Sequence, residues 1–210
     1  MSTVVCSHGF GVRADGRGMF TELQATFPEH DFVTFDYNEV LENGDLVVAP
    51  INQQVERLNQ VLSEYDGVVL LAHSQGCIVA AMADITHVDR VILLAPPAEM
   101  SMRRVIDKLS RKPNALIDLN GVSKLPRSDG TTTHITREYI ESVDNVNPLS
   151  LYDSLAGKLP TTIIRATSDE VLGLTNVDEI ASAECIDLAA DHDFQAEARK
   201  LLVDTLRPIL

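Results

Sequence analysis

The sequence predicts an α/β fold, a three-layer sandwich in which helices flank a mostly parallel six-stranded sheet. The sequence contains six short runs rich in valine, isoleucine and leucine. Most of these runs are apolar throughout, which is the pattern of strands buried on both faces. These runs are Thr3–Cys6, Asp31–Phe35, Gly67–Ala72, Arg90–Ala95, Thr161–Ala166 and Glu184–Leu188. Segments with helical spacing alternate with the runs, and this alternation predicts right-handed crossovers between parallel strands.

The helical segments are recognised by apolar residues that recur on one face. The first two faces consist of Phe20, Leu23 and Phe27, and of Val55, Leu58 and Leu62. The alanine-rich segment Gln75–Thr86 and the segment from Phe194 to Leu202 complete the set. Each of these segments lies between two predicted strands or after the last strand, as a covering helix should.

The stretch 98–158 breaks this alternation because it contains no run of the buried-strand type. Its length exceeds what a crossover connection needs. We therefore predict a helical cap insertion over residues 98–158, above a core formed by residues 1–97 and 159–210. The predicted elements of the insertion are helices over Met100–Leu109 and Thr136–Val143, with a turn at Pro126–Gly130 between them.

Composition narrows the range of partners and compartments. The net charge of −14 would repel the phosphates of nucleic acids and of anionic membranes. No stretch approaches the roughly 20 apolar residues of a membrane-spanning helix, and the amino terminus has no signal-peptide pattern. The three cysteines, Cys6, Cys77 and Cys185, lie apart in apolar stretches and are expected to be buried, reduced thiols. Reduced thiols predict a cytoplasmic protein.

The strongest chemical signal is a buried strand followed by a sharp turn and a helix, centred on Ser74. Small residues stand two positions before and two after the serine, at Ala72 and Gly76, where a tight turn has no room for larger side chains. A serine there could simply cap the helix. The segment resembles the nucleophile elbow G-x-S-x-G of the α/β-hydrolases, with alanine in place of the first glycine. The resemblance implies that Ser74 is a nucleophile.

A second segment, His8-Gly9-Phe10-Gly11, directly follows the first strand. It resembles the HG-x loop of the same family, whose backbone binds the oxyanion of a tetrahedral intermediate. The resemblance implies that the amides of Phe10 and Gln75 form the oxyanion hole, and that His8 supports the loop.

The resemblance also implies where the other two catalytic side chains lie. In α/β-hydrolases the acid follows the penultimate strand, and Asp169 has that position; Glu170 beside it and Asp144 in the insertion are alternatives. The general base follows the last strand, which is the position of His192. The remaining histidines, His30, His73, His87 and His134, are assigned to the solvent-exposed surface.

Together these segments predict a serine hydrolase that cleaves an ester through a Ser-His-Asp triad and an acyl-enzyme. The oxyanion loop, Ser74, Asp169 and His192 each follow the carboxyl end of a predicted strand, so they should meet at one edge of the sheet. No metal or organic cofactor is expected, since the sequence has neither a metal-ligand cluster nor G-x-G-x-x-G after the first strand. The expected substrate is a small acyl compound held by Met100, Met102 and Tyr139.

Two other functions remain open from the sequence. One is a different reaction of the same triad, on a thioester, an amide or a C–C bond. The other is a non-catalytic binding protein with this fold. The sequence leaves the oligomeric state open.

Overall fold

The structure is a computed structural model that describes residues 2–100, 113–127, 130–177 and 180–210. The strands are β1 (Thr3–Ser7), β2 (Asp31–Thr34), β3 (Glu39–Val40), β4 (Leu46–Val47), β5 (Val68–His73), β6 (Val88–Leu94), β7 (Val122–Pro126), β8 (Thr132–Thr136), β9 (Thr161–Ala166) and β10 (Glu184–Leu188). The helices are α1 (Met19–Thr26), α2 (Ile51–Leu62), α3 (Gln75–Met82), α4 (Arg137–Ser142), α5 (Pro148–Ala156) and α6 (Glu197–Leu206).

The six predicted strands form one sheet in the order β10-β9-β6-β5-β1-β2, and every neighbouring pair is parallel. This confirms the predicted six-stranded parallel sheet. The chain leaves β1 toward the β2 edge and later enters β5 on the other side of β1. The crevice above β1 and β5 is therefore the point where the strand order reverses, and open parallel sheets bind ligands at such points.

Helices cover both faces of this sheet, so the domain has three layers. On one face, Leu58 of α2 and Val79 of α3 pack with Tyr152 of α5 against the strands. On the other face, Leu23 of α1 and Leu202 of α6 form the second apolar cluster. Both clusters consist of buried side chains, which explains why the strands read as continuous apolar runs.

A second, four-stranded sheet lies beside the first, in the order β3-β4-β8-β7. Its strands β7 and β8 belong to the segment predicted as a helical cap, so the described part of that insertion contains a β-hairpin followed by helices α4 and α5. The predicted helix at Thr136–Val143 is confirmed as α4, and the Thr136 side chain accepts a hydrogen bond from the amide of Tyr139 as its N-cap.

The hairpin was missed because its strands are buried on one face only. Leu125 and Ile135 point into the core, while the residues on either side of them are more exposed. A search for uninterrupted apolar runs does not detect such alternation. The turn signal was correct, since the amide of Arg127 bonds the carbonyl of Thr131 across the turn between the strands.

Helix α5 shows that the end of the predicted insertion packs with the core. It lies against α3 in the layer that covers the sheet, and it precedes β9 as a crossover helix does. The boundary of a cap domain at 98 and 158 remains a prediction. The helix predicted over Met100–Leu109 falls almost wholly outside the described residues.

The cysteine prediction was correct for two of the three thiols. Cys6 and Cys77 are buried, and burial raises the pKa of both thiols. Cys185 is exposed, because β10 is the edge strand of the sheet and none of its side chains is buried. None of the helices in the described ranges combines the length and the apolar character needed to cross a bilayer.

Candidate active site

Ser74 occupies the sharp turn between β5 and α3. Its backbone has φ 54° and ψ −128°, a conformation that L-residues rarely adopt and that stores strain of about 1–3 kcal/mol. Its side chain makes no capping hydrogen bond to α3, and its Oγ lies 3.0 Å from Nε2 of His192. The serine is therefore not a simple helix cap, since its hydroxyl faces an imidazole.

The turn is tight because α3 begins directly against the end of β1. A Cβ atom added to Gly76 would lie 2.3 Å from the carbonyl oxygen of Ser7 and 2.7 Å from that of His8. Glycine is thus required at this position by the neighbouring backbone. Ala72, on the other side of the serine, is fully buried, and its methyl group is accommodated where the family has glycine.

We expect Gly76→Ala to destabilise the protein by about 1–3 kcal/mol, because the backbone of β1 or α3 must shift to admit the methyl group. Gly157→Ala is the matched control, since the added Cβ would lie 3.4 Å from the carbonyl of Asp153, an ordinary contact. That variant should change the free energy of unfolding by less than about 0.5 kcal/mol. Urea unfolding measures both values, and equal losses would contradict the close packing of the turn.

His192 follows β10 and is held at four points. Its Nε2 lies 3.0 Å from Oγ of Ser74, and its Nδ1 lies 2.7 Å from Oδ2 of Asp169. Its backbone N–H donates to Oε2 of Glu170 at 3.2 Å, and its carbonyl lies 2.9 Å from Nε2 of His73. The backbone contacts fix the loop, so the imidazole is positioned before any ligand binds.

The Asp169 carboxylate, after β9, is held by donors on both oxygens. Its Oδ1 accepts the amides of Val171 and Leu172, each at 2.7 Å. Burial raises the pKa of Asp169, but the hydrogen bonds from His192 and these amides outweigh burial and bring it below the ordinary value. Because the ionised carboxylate only accepts, the imidazole proton lies on Nδ1, and Nε2 is left to accept from the hydroxyl of Ser74.

His73 is buried, and its assignment to the exposed surface was wrong. Burial, together with repulsion from His192 when that imidazole is protonated, lowers the pKa of His73 to about 4, so the His73 ring is neutral and its Nε2–H donates to the His192 carbonyl. The two rings also pack at 5.0 Å between centroids. The apolar strand that His73 ends was a sequence signal for burial. The side chains of His30 and His134 are also mostly buried, and that of His87 is partly exposed.

The loop after β1 passes over Ser74: a Cβ atom on Gly9 would lie 3.0 Å from that of the serine. Nε2 of the buried His8 accepts the amide of Tyr37 at 3.1 Å, so its proton lies on Nδ1 and donates to the Gly9 carbonyl at 2.9 Å. In a trans peptide the N–H points opposite to the carbonyl. The hydrogen bond from His8 to the Gly9 carbonyl therefore orients the N–H of Phe10 away from the His8 ring.

A cleft of about 1140 Å³ opens above Ser74, His192 and the loop Gly9–Gly11. Its apolar wall includes Phe10, Met100, Leu125, Tyr139, Leu172 and Leu174. Two of the three predicted substrate-contacting residues, Met100 and Tyr139, thus line the cleft, although Tyr139 is almost fully buried. The third, Met102, lies outside the described residues.

The polar wall of the cleft contains a charge pair that sequence reasoning missed. Arg17 donates from Nη1 to Oδ2 of Asp193 at 2.8 Å. Asp193 also forms, with His73 and His192, a group of three potential metal ligands in the described part of the chain. Both ring nitrogens of His192 already have hydrogen-bond partners, so we assign no ion to this group.

Several solved structures share this fold, among them one named an esterase and one named a lipase. Est1E from Butyrivibrio proteoclasticus is 15% identical with a TM-score of 0.67, over 99% of this chain and 86% of that chain. An esterase from Exiguobacterium antarcticum is 14% identical with a TM-score of 0.69, over 100% and 91%. A monoacylglycerol lipase from Paleococcus ferrophilus is 15% identical with a TM-score of 0.66, over 97% and 93%.

At these identities the likeness extends to the fold and not to a particular activity. No curated protein matches the chain. The family model described as "Alpha/beta hydrolase family" matches residues 4–205, almost the entire chain. This match confirms the resemblance that the elbow and the oxyanion loop indicated. The protein belongs to the alpha/beta hydrolase family.

Proposed function

We propose that this protein is a serine hydrolase that cleaves a carboxylic ester of a small acyl compound through an acyl-enzyme. The observation that carries the proposal is the continuous hydrogen-bond chain from Ser74 through His192 to Asp169, with distances of 3.0 and 2.7 Å. A hydroxyl, an imidazole and a buried carboxylate in this order form the constellation that activates a serine for acyl transfer.

In the first half-reaction, Oγ of Ser74 attacks the carbonyl carbon of the ester while its proton passes to Nε2 of His192. The resulting imidazolium is stabilised by the ionised carboxylate of Asp169. His192 then gives the proton to the leaving alkoxide, and the acyl group remains on the serine. In the second half-reaction a water molecule takes the place of the alcohol, and the same proton transfers release the acid.

The negative charge of the tetrahedral intermediate would be bound by the amides of Phe10 and Gln75. Gln75 is the first residue of α3, where the amide has no acceptor within the helix and the helix dipole favours negative charge. The hydrogen bond from His8 to the Gly9 carbonyl sets the orientation of the other amide. Each such donor typically contributes about 3–4 kcal/mol to stabilisation of the transition state.

Esters are preferred over other acyl substrates on two grounds. Two of the three similar structures described above are named as an esterase and a monoacylglycerol lipase. The cleft wall, with Met100 and Leu172, offers apolar surface to an acyl chain. A thioester, an amide or a C–C bond could be cleaved by the same residues. The retained serine, histidine and aspartate favour an enzyme over a binding protein that uses only the fold.

The test is a set of three substrates with the same butyryl group, as an aryl ester, an aryl thioester and an anilide. We expect the ester to have the highest kcat/KM, and the first turnover to release about one equivalent of phenol per active site as the acyl-enzyme forms. A higher kcat/KM for the thioester or the anilide would mean that the preferred scissile bond is a thioester or an amide and not an ester. Failure of all three, together with failure of a fluorophosphonate to label the folded protein, would favour the binding-protein alternative.

A further inference from the structure

A chain of buried hydrogen bonds connects the hairpin-and-helix part of the insertion to the residue that follows Ser74. The hydroxyl of Tyr139, on α4, donates to Oε1 of Gln75 at 2.5 Å. Nε2 of Gln75 donates to Oε1 of Gln54 at 3.0 Å, and Nε2 of Gln54 donates to the carbonyl of Ala49 at 2.6 Å. All three side chains are buried, so water does not compete for these hydrogen bonds.

The direction of each hydrogen bond follows from the Ala49 carbonyl, which is the last acceptor in the series. A carbonyl only accepts, so Gln54 must turn its NH₂ group to Ala49 and its Oε1 to Gln75. Gln75 must then donate to Gln54 and accept from Tyr139. Burial raises the pKa of Tyr139, so its hydroxyl keeps the proton that this arrangement needs. The side chain of Gln75 therefore has one favourable orientation, and Tyr139 completes it.

The insertion also contacts the other side of the oxyanion hole. The ring of Tyr139 packs on that of Phe10 with 5.4 Å between centroids. In the hairpin, Nη1 of Arg127 donates to the carbonyl of Gly11, and a Cβ atom on Gly11 would lie 3.2 Å from Cγ2 of Thr133. Tyr139 thus contacts both residues whose amides would bind the oxyanion.

We propose that Tyr139 is a positioning residue that holds the amides of Gln75 and Phe10 in place for the oxyanion, with Gln54 as its partner on the far side of Gln75. The inference rests on the proposed serine-hydrolase function, and it adds to the expectation that Tyr139 contacts the substrate. The insertion then contributes to catalysis itself, besides covering the cleft.

This role predicts a loss in kcat at nearly constant KM. Removal of the Tyr139 hydroxyl leaves Oε1 of Gln75 without its partner. The side chain of Gln75 can then reorient, and the first turn of α3 can shift with it. A misplaced donor weakens binding of the oxyanion, which exists only in the transition state and intermediates. Complete loss of one donor lowers kcat by about 10²–10³-fold, and we expect about tenfold for displacement.

The test compares Tyr139→Phe and Gln54→Leu with the control Tyr152→Phe in hydrolysis of the butyryl aryl ester. Tyr152 is also a fully buried tyrosine, and its hydroxyl donates to the carbonyl of Pro97 at 3.1 Å, so its loss costs similar stability without touching Gln75. All three variants are measured well below their melting temperatures. Phenylboronic acid is the second probe, because its adduct with Ser74 places a negatively charged tetrahedral boronate at the oxyanion site.

We expect Tyr139→Phe and Gln54→Leu each to lower kcat about tenfold and to raise the inhibition constant of phenylboronic acid by a similar factor, with KM changed less than about twofold. Tyr152→Phe should retain the wild-type values. If kcat and boronate affinity are unchanged in both test variants, or fall equally in Tyr152→Phe, the positioning role is overturned while the hydrolase function stands. A wild-type protein without acyl turnover or fluorophosphonate labelling would overturn the function, and this inference with it.

Discussion

Replacement of Ser74 by alanine is expected to lower kcat for ester hydrolysis by about a millionfold and to abolish fluorophosphonate labelling. The variant has no oxygen to form the acyl-enzyme, and the remaining groups can only assist direct attack by water. Alanine is smaller than serine and is accommodated in the turn with little change, so the protein should remain folded. Mass spectrometry of the labelled protein and steady-state kinetics measure the two effects.

Ser63→Ala is the control for this prediction. Ser63 is an exposed serine at the end of α2, and its hydroxyl donates to the carbonyl of Gln60 in the preceding turn. Its replacement should leave labelling and turnover at wild-type values. Label that persists in Ser74→Ala would place the nucleophile on another serine and would sink the proposed mechanism.

Replacement of Asp169 by asparagine is expected to lower kcat by about 10⁴-fold. The carboxylate accepts from Nδ1 of His192 and so keeps Nε2 ready to accept the proton of Ser74. An amide can present its NH₂ group instead, which favours the tautomer with the proton on Nε2 and leaves the serine without a base. Steady-state kinetics with the butyryl ester measure the loss, and circular dichroism checks the fold.

Glu170→Gln is the matched control, because both positions lose one carboxylate charge in the same loop. Oε2 of Glu170 accepts from the backbone amide of His192 and not from its ring, and glutamine retains an oxygen for this hydrogen bond. Most of the activity should therefore remain. A larger loss in Glu170→Gln than in Asp169→Asn would move the catalytic acid to Glu170.

The location of the site follows from the topology of the sheet. The loop His8–Gly11 follows β1 and Ser74 follows β5, and these adjacent strands flank the point where the strand order reverses. Asp169 follows β9 and His192 follows β10 at the same edge. A parallel sheet brings all its carboxyl ends to one side, so side chains far apart in sequence meet there.

The amino-acid sequence by itself determined the six parallel strands, the elbow around Ser74 and the positions of Asp169 and His192 after their strands. These features are local: a strand buried on both faces needs an apolar side chain at nearly every position, and a tight turn against β1 needs glycine at position 76. Each therefore leaves a contiguous pattern that can be read without knowledge of the fold.

Only the tertiary structure decided the second sheet and the connection from Tyr139 through Gln75 to Gln54. Strands β3 and β4 have two residues each, too few for a periodic pattern, and β7 and β8 are buried on one face alone. The hydrogen-bond partners are separated by up to 64 residues. Which buried amide bonds which hydroxyl depends on how elements far apart in sequence pack together, and a local sequence pattern does not contain that information.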